Sequence, residues 1–123
     1  MIIEAQLPAI TALLQKAANA SDSVAFHALY ALFPKNTPAQ KVHATLEAAC
    51  ITLADFEQAI YSVVMVKKDT GLPGDGFFAT YKEIHEAEYA TIAGDTALIA
   101  LTLAQKQLMV NAEKTRVYAH AKT

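Results

Sequence analysis

The sequence predicts an all-α protein, a compact single-domain bundle of about six helices over residues 1–123. Three observations predict it. Apolar residues recur at helical spacing along most of the chain. Hydrophobic residues make up 54% of it, and the excess is largely alanine, which suits closely packed helices. Three of the four glycines lie between 71 and 76, so backbone-breaking residues are concentrated in one place.

Pro8 suits a first helical turn. A helix from there to about Ala20 would turn Ile10, Leu14 and Ala17 inward, with Ile3 and Leu7 on the same face. Ser21 or Asp22 can cap a second helix carrying Val24, Ala28, Leu29, Leu32 and Phe33, and Pro34 stops it. Thr37-Pro38-Ala39-Gln40 has the form of a capping box, with Pro38 at the first helical position. The third helix then runs to about Cys50 with Val42, Leu46, Ala49 and Cys50 inward. Thr52 can cap a fourth, carrying Phe56, Ala59, Ile60, Val63 and Val64.

Residues 62–66, Ser-Val-Val-Met-Val, fit two states because β-branched residues also favour strand. The preferred reading extends the fourth helix to Lys68. The other makes 62–67 a strand that pairs with 77–82 as a hairpin. Residues 77–93 read as a fifth helix, with Phe77, Tyr81, Ile84 and Ala87 on one face, and Gly94 closes it. Asp95 can cap a last helix to about His120. Its first half holds the longest apolar run, 97–104, and is expected to be the most buried helix. Leu108, Met109, Ala112 and Val117 give its second half an amphipathic face.

Charge is low and uneven. Charged residues are 18% and the net charge is −2. Residues 69–94 carry five acids and one base, and 95–123 carry two acids and four bases. No basic footprint for nucleic acid is visible. The apolar run 97–104 is too short to span a bilayer. One cysteine, Cys50, and no secretory pattern at the start point to a cytoplasmic chain.

Leu46 to Ile60 resembles a helix-turn-helix. Cys50 is the small residue at the turn, Ile51 is the apolar residue after it, Thr52 caps, and Phe56 and Ile60 anchor the second helix. With a hairpin at 62–82 and flanking dimerisation helices, residues 38–82 would resemble a winged-helix DNA-binding regulator. A recognition helix needs Arg, Lys, Asn or Gln, whereas this one offers Asp55, Glu57 and Gln58. The plain reading is a corner between two packed helices.

Other chemistry is weakly supported. Gly71, Gly74 and Gly76 match neither a P-loop nor a dinucleotide fingerprint, and Asp75 reads better as a helix cap than as a neighbour of phosphate. Glu83, His85, Glu86 and Glu88 read as a solvated acidic face. The helical Glu-x-x-His motifs of a di-iron bundle are absent, and Glu4, Glu47 and Glu113 read as helix-end or polar-face residues. Cys50 and His43 stand about 10.5 Å apart along a helix axis, too far for a nucleophile–base pair.

The functional expectation is therefore a small, soluble, non-enzymatic protein, possessing no cofactor or metal. It would act by protein–protein contact as a regulator or adaptor and form a homodimer. The contact residues expected are Leu72, Pro73, Asp75, Phe77 and Phe78 in the loop, with Glu83 and Glu86 behind it. A small-ligand or metal binder in the bundle core is the further alternative.

Overall fold

The computed structural model describes residues 2–123. Six α-helices and two very short strands make the fold: α1 Leu7–Asn19, β1 Val24–Ala25, α2 Phe26–Tyr30, α3 Ala39–Leu53, β2 Met65–Val66, α4 Asp75–Ile84, α5 Glu86–Ala93 and α6 Leu103–Ala121. The all-α expectation of about six helices holds. The helices fall in partly different places.

α1 has Pro8 in its first turn and buries Ile10, Leu14, Ala17 and Ala18. These positions share one helical face, which packs on α3. The expected second helix starts late. Val24 and Ala25 pair in parallel with Met65 and Val66, so only Phe26–Tyr30 is left to coil. α3 begins one residue later than the capping-box signature implies. Pro38 is its N-cap, and the Thr37 hydroxyl turns back to the Pro34 carbonyl. Thr45, fully buried in α3, donates to the Lys41 carbonyl and accepts from the Ile3 N–H at 3.0 Å.

The fourth predicted helix does not form. α3 runs to Leu53, where the Thr52 hydroxyl bonds back to the Ala48 carbonyl inside the helix rather than capping a new one. Ala54 is extended, and a single turn closes on the Asp55 carbonyl. With no helix after the turn, the helix-turn-helix resemblance fails. Residues 62–67 are neither long helix nor hairpin strand. A 3-10 turn, Tyr61–Val64, leads into the two residues of β2. The one antiparallel bridge joins Val66 to Pro73, not to 77–82, so there is no wing.

The run 59–66 is the centre of the molecule. Ala59, Ile60, Val63, Val64 and Met65 are fully buried, and α1, α3 and α6 all pack against the 3-10 turn. Irregular backbone in a core needs partners for its polar groups. The Ile60 N–H finds one in the side chain of Glu113, at 2.8 Å.

The fifth predicted helix is broken at His85 (φ −115°, ψ 53°) into α4 and α5, and Gly94 at φ +60° ends α5 as expected. The last helix does not start at Asp95. Residues 98–100 form a 3-10 turn, Leu101 is extended, and Thr102 caps α6 with a full capping box to Gln105. The run expected to be most buried is therefore largely at the surface. Ile99 is 98% exposed and Leu103 69%.

Candidate functional site

The glycine loop is a tight fold-back on β2. Lys67 N–H donates to the Leu72 carbonyl at 2.9 Å, and Gly71 N–H donates to the Lys67 carbonyl at 2.8 Å. Gly71 sits at φ +70°, a conformation that side chains other than glycine resist. The fold-back turns the loop's apolar side chains inward. Leu72, Pro73, Phe77 and Phe78 are all buried. The aromatic contact surface expected of them is therefore not available: Phe77 packs at 5.0 Å edge-to-face on Phe78 and stacks on Tyr81. Asp75, Glu83 and Glu86 remain exposed. Asp75 is the first residue of α4 rather than its cap, which is Gly74.

What the loop does build is one wall of a cleft of about 190 Å³. Gly74, Asp75, Gly76, Phe77 and Thr80 form that wall at the start of α4. His43, Leu46, Glu47 and Cys50 form the other, because spacings of three, four and seven place them on one face of α3. Phe26 and Phe56 close the ends, and a methyl added to Gly74 would lie only 3.7 Å from Phe26 Cζ. His43 stands 2.8 Å through Nε2 from the Tyr30 hydroxyl. Burial, with a smaller push from the Glu47 carboxylate, raises the Cys50 thiol to about 12. The thiol stays protonated at neutral pH and is no nucleophile. Sequence spacing separated Cys50 from His43 as a reacting pair. It did not show that both line one cavity, because the opposite wall comes from thirty residues further on.

A second constellation went unread. Glu113, placed on a polar face by sequence, is fully buried. Its carboxylate takes the Ile60 N–H on one oxygen and Arg116 on the other, 3.0 Å from Nε. His85 Nε2 is 3.2 Å from the same oxygen, but off the line of a hydrogen bond. Arg116 also grips Glu88 with its two terminal guanidinium nitrogens, at 2.7 and 3.2 Å, and the Tyr81 hydroxyl donates to Glu88. The Arg116 bonds, assisted by Tyr81, hold the Glu88 carboxyl down at about 2 against partial burial. This network ties α4, α5 and α6 to the central run. Glu88 and His85 are therefore not simply part of a solvated acidic face: both are partly buried, Glu88 against Arg116 and His85 beside Glu113. Among the described residues no group of three or more His, Cys, Asp or Glu is arranged to hold a metal ion.

The inward turn of Glu113 and Arg116 leaves α6 with an inverted surface. Its exposed residues are Leu103, Ala104, Gln107, Leu108, Asn111, Thr115 and Ala119, and none is charged. Its charged residues are all at least partly buried, with Lys106 Nζ lying 5.5 Å over the Phe78 ring. A helix facing water normally carries its charges outward.

No protein-family model matches the chain, and neither a curated protein nor a solved structure shows significant similarity to it. No helix among the described residues is long and apolar enough to cross a membrane.

Proposed function

We propose that this chain is a non-enzymatic protein that works by protein–protein contact, and that the contact is with a second copy of itself through the outer face of α6. The observation that carries the reading is the uncharged outer face, continued at the surface by Ile99. Between Thr96 and Glu113 the only charged residue is Lys106, which is folded onto Phe78. Two such faces can meet without bringing like charges together. A two-fold axis near Asn111 would set the leucine end of one helix on the Thr115–Ala119 end of the other, large against small. The exposed acids Glu83 and Glu86 lie on other helices, open to a regulatory or adaptor role, while Asp75 borders the face through the hollow it shares with Ile99 and Lys106.

Sedimentation of the full chain tests this. The wild type should sediment at twice the 13.2 kDa chain mass, with a melting temperature that rises with concentration, and Leu103→Glu/Leu108→Glu should sediment as a folded monomer whose melting temperature does not depend on concentration. A wild type that stays monomeric into the millimolar range overturns the reading. So does a double variant that still dimerises.

A further inference from the structure

The cleft between α3 and the start of α4 borders the proposed pairing face at Asp75 and Gly76, which share a surface hollow with Ile99 and Lys106. Phe26, Phe56 and Phe77 supply aromatic side chains, and Leu46 and Cys50 add apolar surface. Two exposed carboxylates, Glu47 and Asp75, line it together with the His43 ring, which lies 2.8 Å from the Tyr30 hydroxyl, and no lysine or arginine does.

Aromatic faces carry negative charge density and attract cations, and carboxylates add to that attraction. The uncapped N-terminus of α4 by itself favours an anion. Asp75, in that first turn, supplies the negative charge the helix end would otherwise take from a ligand. The volume of about 190 Å³ falls short of the roughly 300 Å³ at which sites for drug-sized molecules begin, so the occupant is small.

We propose that this cleft binds a small organic ammonium ion, with the charged nitrogen between Glu47 and Asp75 and the apolar part against Phe26, Phe56 and Leu46. The Ser62 and Thr80 hydroxyls, also in the lining, provide further acceptors for its N–H groups.

Three probes of nearly one shape test this on the full chain: benzylammonium, benzyl alcohol and benzoate, titrated while backbone amide resonances are followed by NMR. Benzylammonium should shift the Glu47, Gly76 and Thr80 amides saturably, at least about fivefold more tightly than benzyl alcohol, with benzoate silent. Glu47→Gln/Asp75→Asn changes two exposed residues and should lower the melting temperature by no more than a few degrees, from the loss of Asp75 at the start of α4. It should weaken benzylammonium about tenfold, the order expected of two partly screened charges, and leave benzyl alcohol unchanged. Binding should persist in Leu103→Glu/Leu108→Glu, which separates the cleft from the dimer. The proposal is overturned by benzoate binding as tightly as benzylammonium, by full benzylammonium affinity in the Glu47/Asp75 variant, or by the absence of saturable shifts with all three probes.

Discussion

Residues 59–66 and 97–104 are both apolar runs of eight, yet the first lies in the core and the second largely at the surface. Both are irregular in backbone, the second until α6 begins at Leu103. Backbone regularity is thus not what separates them. The 59–66 run is held inside by partners far away in sequence: β1 pairs with its end, Glu113 takes the Ile60 N–H, and the loop closes over it at Pro73. The 97–104 run has no such partners. It is cut by extended backbone at Ala97 and Leu101, and the capping box at Thr102 starts a helix whose inward positions are Met109, Val110, Glu113 and Val117.

The sharpest way to break this comparison is one truncation in each run. Ile60→Ala removes a fully buried side chain and should cost about 2–5 kcal/mol in chemical denaturation. Ile99→Ala, in the other run, should change stability by less than about 0.5 kcal/mol. Equal costs would mean that the two runs are not different environments at all.

Glu113→Ala should follow Ile60→Ala closely, at about 2–4 kcal/mol. It strands the Ile60 N–H in the core and removes one partner of Arg116. Glu113→Gln keeps an acceptor for that N–H and should cost less, by the same measurement.

Acid should act through the same network. The folded Glu88 carboxyl is held below its usual value, so its stabilising contribution is present above about pH 4.5 and is lost as pH falls toward about 2. Melting temperature followed across that window should fall more steeply for wild type than for Glu88→Gln. Parallel curves would mean that Arg116 does not hold Glu88 in solution. A smaller effect than those in the core concerns the start of α6: Thr102→Ala removes the capping bond to Gln105 and should cost about 1 kcal/mol by chemical denaturation.

The cap also shows how far local signals reach. Thr37-Pro38-Ala39-Gln40 and Thr102-Leu103-Ala104-Gln105 share the pattern Thr-x-Ala-Gln. Only the second forms the capping box. At the first, Pro38 holds an extended ψ of 138° and becomes the cap itself, while the Thr37 hydroxyl closes a turn onto Pro34. The sequence points to a box at the first and to Asp95 as the cap of the last helix, and the geometry reverses both expectations. Gly94, by contrast, needed no context: a helix end at positive φ favours glycine wherever it lies.

The candidate site was half legible. The loop stood out through Gly71, Gly74 and Gly76, and it does form a wall of the cleft. The direction of its side chains was not legible, because Leu72 and Pro73 are turned inward by hydrogen bonds to Lys67 and a bridge to Val66. Glu113 and Arg116 gave no sign of burial, since three-residue spacing on a helix reads the same on a wet face as on a dry one.

By itself, then, the sequence determined what depends on neighbours in the chain: the helical class, the helix start at Pro8 and helix end at Gly94, and the position of the exceptional loop. Those features follow from backbone sterics and short-range hydrogen bonds. Only the tertiary structure decided which apolar run is buried, that Glu113 serves the central segment, and that the outer face of α6 is uncharged. The reason is physical. Burial and the pairing of buried polar groups are properties of segments that meet in space, and a helix carries no local record of which of its faces will meet another.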